Sequence, residues 1–434
     1  MCSTPAPAPL KGSPQPPPPK SSPPPSPPPP PSTQPYSTTH KILLLHIALL
    51  IAAFGVLTPF YQSRRDALDC DARCYGYFSS TRSAVGLIGS LVITRASDQI
   101  GRKPLLFIGL GGTLLGLYFS ATTTTLSDLY LSMIPGALLQ QNFSISKAYI
   151  ADLASLHNLD DATKTSLVGK LGMVVGLAFM LGPALGGSII STIDVAVKVA
   201  ACLVVLSAVS LTFLPNPPRS NPTPTAPKPS FFNIPTARTP GALCIMAMRI
   251  LMSLAFHMFI TVWTPSLKSR FDFGPKDHGQ FMSAVGLFYA VSQGFAAPRI
   301  VAYAASKTRV LACCCVALSV GRCAALATDS LSVVYALFFC IITALGTFNT
   351  VLTNEITGLA AKDEVGGLIG VLGSVESVAG MVGPVVGGEL YRIWEFGPIV
   401  FVCVAYLGVA GIVLGFYDKA MLMSHSKTKK DKAL

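Results

Sequence analysis

Apolar residues in this chain come in runs of about twenty, the length an α-helix needs to cross the roughly 30 Å hydrocarbon core of a bilayer. Twelve such runs follow one another, and each predicts a membrane-spanning helix. Six lie within residues 40–214 and six within 241–417. The segment between them, 215–240, is rich in Pro, Ser and Thr, so it predicts a cytosolic linker between two six-helix halves. The fourth run (Tyr130–Leu153) and the tenth (Ser332–Glu355) are the most polar and fit an uninterrupted helix least well. Residues 1–39 are mostly Pro and Ser with nothing to bury, which predicts a disordered, polyproline-like tail; they hold no apolar stretch of the kind a secretory signal needs. Residues 418–434 read as a basic tail.

Two departures from the apolar pattern organise the rest. Between the second and third runs stands TRASDQIGRKP (Thr94–Pro104). Arg95, Asp98, Arg102 and Lys103 cannot lie in hydrocarbon, so this is a tight loop, with Gly101 at its turn. The second departure is an internal repeat. LVGKLGMVVGLAFMLGPALGG (Leu167–Gly187) aligns without gaps on LIGVLGSVESVAGMVGPVVGG (Leu368–Gly388). Gly182, Pro183, Gly186 and Gly187 match Gly383, Pro384, Gly387 and Gly388, in the fifth and eleventh runs. Glycines at such spacing let helix backbones approach closely, and a proline inside a helix removes one hydrogen bond and permits a bend. A duplicate at matched positions predicts two halves related by an axis along the membrane normal.

Composition narrows the class. Only 12% of residues are charged, against roughly 25% in soluble domains, and 51% are hydrophobic. The net charge of +12 is spread over short loops, so it reads as a topology signal and not as a nucleic-acid surface. Lys and Arg concentrate on the side that holds both termini, which predicts that both are cytosolic, in the plasma membrane or an endomembrane. Trp263 and Trp394 fall at the opposite ends of their runs, where interfacial aromatics belong. The cysteines have no metal-ligand spacing; Cys70 and Cys74 are either disulfide-bonded or free. No nucleophile–base, metal or phosphate-loop constellation is present, so an enzyme is not expected, and no cofactor is called for.

With these residues on the page, the chain resembles the drug:proton antiporter branch of the major facilitator superfamily over about residues 40–417. The D-x-x-G-R-K core at Asp98–Lys103 resembles that family's signature loop, and the G-P-x-x-G-G of the fifth run resembles its repeat. Ala148–Asp152 matches the A-Y-x-A-D of tetracycline-exporter-like members. GALLQQNFSISKAYIADL is similar to eukaryotic organic cation transporter-like proteins of the solute carrier 22 member 18 type. The loop departs from the family at Thr94 and Ala96, and Met133 stands where relatives carry an Arg tied to proton coupling. The resemblance implies an all-α fold of twelve transmembrane helices and a monomer in lipid. It implies a secondary transporter of an organic cation or drug-like solute by alternating access, with exchange for protons as one coupling mode. It further implies that Asp98 faces Gly366 and Gly367 at the start of span eleven, that Arg102 pairs with Asp152, and that these contacts hold the cytosolic side shut.

Charges within spans are costly and mark candidate pathway residues. Glu376, about nine residues into span eleven and so roughly 14 Å deep, either exchanges protons or bridges to a neighbouring Arg. Arg249 in span seven is followed on the same face by Ser253 and His257. Arg82 and Arg322 either bind substrate or snorkel towards an interface. His46 and His257 are structural groups or proton relays. In span four Gln140, Ser144 and Lys147 fall on one helical face, widened by Gln141 and Asn142; the stripe lines a cavity or hydrogen-bonds another helix. These cations outnumber Glu376, which suits an organic anion, whereas the resemblance implies a cation. A solute sensor or scaffold that does not transport is the alternative of another class. Asp98→Ala is expected to impair switching between states more than substrate binding, and equal loss of both in paired flux and binding assays would count against a gating role.

Overall fold

The computed structural model describes residues 35–159, 161–215, 235–359 and 365–431. Most of the expected tail (1–39) and linker (215–240) lies outside these. Among the described residues every regular element is a helix. The first half runs α1 (Tyr36–Leu57), α2 (Tyr61–Asp66), α3 (Ala72–Ile100), α4 (Arg102–Ala121), α5 (Leu126–Leu139), α6 (Asn142–Leu156), α7 (Asp161–Ile189) and α8 (Ile193–Thr212). The second runs α9 (Pro240–Phe271), α10 (Pro275–Val291), α11 (Ala297–Tyr303), α12 (Lys307–Ala327), α13 (Leu331–Leu359), α14 (Val365–Ile393), α15 (Gly397–Ile412) and α16 (Asp418–Asp431). Together these make twelve spans in two six-helix halves. Two boundaries differ from the sequence reading: α1 begins at Tyr36, inside the expected tail, and α16 carries helix into the expected basic tail. Thr39 and His40 are buried, which explains the first.

Local signals set the ends. Asp71 accepts from the Cys74 amide at the start of α3, Thr125 and Asp128 form a capping box on α5, and Thr239 caps α9. Gly101 divides α3 from α4 at φ +110°, a region open to glycine and strained for other residues. Cys70, just before α3, is joined by a disulfide to Cys74 in its first turn.

Nine helical segments among the described residues are long and apolar enough to cross a membrane. Spans two, four and eight are not among them. Span two is too polar, span four divides into α5 and α6 at Gln140–Gln141, and span eight is diluted by Gln280, Ser283, Ser292 and Gln293, the last two in a π turn at Ser292–Ala296. Span ten, also expected to be irregular, is the continuous helix α13. The break in span four is held from behind. The Asn142 amide donates to Leu106 O (2.9 Å) and to His46 Nε2 (3.2 Å), and His46 Nδ1 donates to Ser207 Oγ (2.7 Å). That network satisfies His46 inside the first half and gives it a structural role. Gly109 makes the room: a Cβ there would strike the Asn142 side chain.

Each half has its own apolar core, one drawn from Leu43 to Leu214 and the other from Ile245 to Met421. The repeated glycines join them in a shared pattern. Gly182 and Gly186 seat α7 on α1 of the same half, and Gly383 and Gly387 seat α14 on α9 of the same half. The last glycine of each copy crosses over: Gly187 abuts Gly279 of α10, and Gly388 abuts Ala72 and Arg73 of α3. The crossings are sealed by backbone contact, since a Cβ on Gly279 would strike Pro183 O and one on Gly76 would strike Pro384 O. Both crossings lie at the end of the bundle opposite the Thr94–Pro104 loop. Ion pairs reinforce that end: Arg73 with Glu389 (2.5 Å), itself bonded by the Tyr77 hydroxyl (2.9 Å), and Lys268 with Asp66 (2.5 Å). All are partly exposed and so individually worth little; the glycine contacts set the geometry.

Gly55→Ala would bring a Cβ to 2.9 Å from Gly182 Cα and is expected to cost about 1–3 kcal/mol by overpacking the first half, read as a lower thermal-unfolding midpoint in detergent. Gly76→Ala is expected instead to part the two halves, read as a longer distance between spin labels on the outer ends of α3 and α14.

Candidate functional site

Among the described residues, two of the cavities inside the bundle hold expected pathway residues. The larger, about 560 Å³, lies among α1, α2, α3, α4 and α5, with α9 closing one side. That size suits a small-molecule site. Phe54, Tyr61, Tyr75 and Phe78 give it apolar and aromatic walls, while Gln140 and Gln141 reach it from the break in span four. Among the described residues three guanidinium groups line it, and no Asp or Glu does. Two of the three are committed. Arg64 donates to Ser120 O (3.0 Å) and Thr123 O (2.6 Å). Arg65 donates to Gln62 (2.5 Å) and lies 4.1 Å above the Tyr75 ring. Arg82 is exposed to the cavity and takes no hydrogen-bond or ion-pair partner among the described residues.

The smaller cavity, about 280 Å³, belongs to the second half and is lined by Arg249, Ser253, Phe256, His257, Asn349 and Glu376, among others. Its polar groups are already joined. Arg249 donates to Asn349 Oδ1 (2.8 Å), Asn349 O (3.2 Å), Thr353 Oγ1 (2.7 Å) and Glu376 Oε1 (3.1 Å). Arg249 is buried, while the Glu376 side chain keeps 42% of its surface open. The carboxylate therefore compensates the guanidinium and still faces the cavity.

His257 lines both cavities. Its Nδ1 lies 2.8 Å from the Ser253 carbonyl oxygen, which can only accept, so Nδ1 carries the hydrogen. In the neutral ring that leaves Nε2 as the acceptor. A Cβ placed on Gly380 would lie 3.2 Å from both His257 Nε2 and Ser83 Oγ, so this nitrogen stands where the halves meet, beside the residue that follows Arg82.

The structure thus divides the expected pathway set. Arg82, Gln140, Gln141 and His257 share the larger cavity; Arg249, His257 and Glu376 share the smaller. Ser144 and Lys147 line neither: both are exposed on α6, with Lys147 4.2 Å above the Phe143 ring. The break at Gln140–Gln141 interrupts the helical face that would have aligned them with Gln140. Arg322 is fully buried in the second half, its guanidinium 4.6 Å from the Phe259 ring, 4.9 Å from Tyr406 and 5.6 Å from Phe256. Ring faces stabilise it in place of a carboxylate.

In the signature loop, Arg102 donates to Asp152 (2.9 Å) and to Ser97 (2.6 Å), and Lys103 caps α8 through Thr212 O (2.9 Å) and Leu214 O (2.6 Å). The side chain of Asp98, and Gly366 and Gly367 beyond their helical backbone, lie outside the described residues. Sequence reasoning missed Arg64 and Arg65, which sit beyond the first predicted span, and Asn349 and Thr353; the polarity of the tenth run was the available signal for the latter pair.

A family model described as Major Facilitator Superfamily matches residues 43–304. The chain is 26% identical to solute carrier family 67 member A1 of Homo sapiens over 387 residues, covering 84% of this chain and 87% of that protein. It is 23% identical to solute carrier family 22 member 18 of Mus musculus over 412 residues, covering 90% and 97%. The crystal structure of the human organic anion transporter MFSD10 (TETRAN) superposes with a TM-score of 0.64 at 19% identity, over 90% of this chain and 100% of that one.

Arg249→Met is expected to lower stability by about 2 kcal/mol by stranding Glu376, below the ~3–5 kcal/mol of a fully buried pair because that carboxylate opens to the cavity. Glu376→Gln, which keeps an acceptor for Arg249, is expected to cost less; thermal unfolding of both variants in detergent gives the comparison.

Proposed function

As a member of the major facilitator superfamily the chain is a membrane transporter of small solutes, and we propose that its solute is an organic anion. One observation carries this reading: the larger cavity presents an uncommitted guanidinium, Arg82, with two further arginines and no carboxylate among its lining residues. A planar carboxylate or sulfonate can take two parallel N–H bonds from a guanidinium, and an apolar body can lie against Phe54, Phe78 and Tyr75. An organic cation would meet repulsion there, and the one carboxylate in the neighbouring cavity, Glu376, is engaged by Arg249. The name of the human structural relative, an organic anion transporter, agrees with this reading.

The packing supports transport by alternating access. The two cores are separate and the halves meet through small-residue contacts, so each half can rock as a body about them. We assign the glycine crossings and the Arg73–Glu389 and Lys268–Asp66 pairs to the gate on the side away from the cytosol, with both termini cytosolic. The Arg102–Asp152 pair lies within the first half and ties α4 to α6 at the cytosolic end, so it moves with that half.

Radiolabelled naphthalene-2-sulfonate tests the reading in liposomes carrying the purified protein. Saturable uptake is expected, with Arg82→Ala reducing it roughly ten- to a hundredfold, as loss of a charged hydrogen bond of ~1.5–3 kcal/mol implies. Uptake of an aromatic ammonium in place of the sulfonate would overturn the anion assignment, and saturable sulfonate binding without flux would make the protein a sensor.

A further inference from the structure

We infer that Lys147 and Ser144 form a second station for the anion, lying between Arg82 and the end of the bundle that carries the Thr94–Pro104 loop, assigned above to the cytosol. This rests on the anion reading above and names a site outside both cavities.

The glycines show where the halves part. Gly169, Gly176, Met180 and Gly187 share one face of α7. Towards the outer end that face presses on α10: Gly187 abuts Gly279, and a Cβ on Gly286 would lie 2.9 Å from Met180 Cα. Towards the loop end it stands clear, since among the described residues a Cβ on Gly169, Gly172 or Gly176 would meet nothing within 4 Å. α14 repeats the pattern. Gly388 abuts α3, a Cβ on Gly380 would lie 3.2 Å from Ser83 Oγ, and one on Gly373 would meet nothing within 4 Å. The helices that touch across the seam at the outer end thus leave a vestibule at the other. α6 borders it. The buried face of α6 is turned to α4 and α1, where Asn142 is bonded to Leu106 O and His46. α6 also touches α3 and α7, the helices of the first half that meet α14 and α10. Ser144 and Lys147 occupy the opposite, exposed arc, which faces the second half across the vestibule.

An ammonium within a span needs an anion or water to offset its lost hydration. Among the described residues Lys147 takes no hydrogen bond or ion pair; its Nζ lies 4.2 Å over the Phe143 ring. Asp152, further along α6, is engaged by Arg102, and Glu355 of α13 by Lys307. The N–H groups of Lys147 and the Ser144 hydroxyl are therefore left to donate to a carboxylate or sulfonate. Lys147 lies six residues beyond Gln141, about 9 Å along the helix, so an anion leaving the larger cavity meets it next. The two cations differ usefully. A guanidinium grips two oxygens at once, whereas an ammonium is a hydrated point charge that grips one. Arg82 suits capture and Lys147 suits release. The break in span four splits one polar stripe into these two stations.

The test uses the full chain carrying Ser144→Cys in phosphatidylcholine nanodiscs, with the anionic reagent 2-sulfonatoethyl methanethiosulfonate; the wild type gives the background from native cysteines. The introduced thiol is expected to react well above that background, and naphthalene-2-sulfonate to protect it. Adding Lys147→Gln is expected to raise the half-protecting concentration about tenfold, as loss of one charged hydrogen bond implies, and to slow sulfonate uptake into liposomes about three- to tenfold. Adding Lys147→Arg keeps the protection, and so does adding Arg82→Ala, because the stations are separate. An introduced thiol that stays at background places this face in lipid and overturns the vestibule site. Protection that survives Lys147→Gln, or that Arg82→Ala abolishes, overturns a second station. Failure of the anion reading is seen apart from these: the wild type then takes up no sulfonate, whereas failure of this inference alone leaves wild-type uptake and its dependence on Arg82 intact.

Discussion

An arginine placed among membrane helices must find compensation, because hydrocarbon supplies none. The arginines within this bundle meet that demand in different ways, and the difference sorts structure from function. Arg249 is satisfied by a carboxylate, an amide and a hydroxyl. Arg322 has three ring faces against its charge, while its buried Nε and Nη1 take no hydrogen bond among the described residues. Arg64 is satisfied by backbone carbonyls near the end of α4. Among the described residues Arg82 takes none of these partners and lines the larger cavity. A guanidinium maintained without a protein partner is stable only where water or a solute reaches it, so the cavity and the charge imply each other.

The backbone obeys the same constraint. Span four breaks at its middle, which frees peptide groups at a depth where no lipid can bond them. The break is tolerated because one side faces the cavity and the other is pinned by Asn142, His46 and Ser207. The gap that a continuous helix would have filled becomes part of the solute site. Motion is accommodated elsewhere, at contacts made by glycines, where two backbones meet without side chains to interlock. Gly182 and Gly186, and their counterparts Gly383 and Gly387, fix a helix within its half, and the last glycine of each copy touches the opposite half. One duplicated motif thus both builds the halves and joins them.

Much of this was legible in the chain. The run lengths specify a twelve-span helical protein, the gapless repeat specifies two equivalent halves, and the rarity of charge within spans singles out Arg82, Arg249, Arg322 and Glu376. Less legible was which of these act together. A helical-face argument groups Gln140 with Ser144 and Lys147, but it presumes an unbroken helix, and the break sends the glutamines into the cavity and the other two away from it. Polarity alone misreads span ten, whose polar residues signal partners for Arg249 and no irregularity in the helix.

What the sequence by itself determined is the class of object: membrane helices, their number, their pairing by duplication and the short list of costly charges. These follow from the thickness of the bilayer and the cost of burying charge, which act on each segment separately. What only the tertiary structure decided is the pairing of those charges. Whether a guanidinium meets a carboxylate, an aromatic face or an empty cavity depends on residues far away in the chain, as Arg249 and Glu376 lie on α9 and α14 and Arg82 and His257 on opposite halves. That three-dimensional neighbourhood separates a charge that holds the fold together from one that waits for a solute.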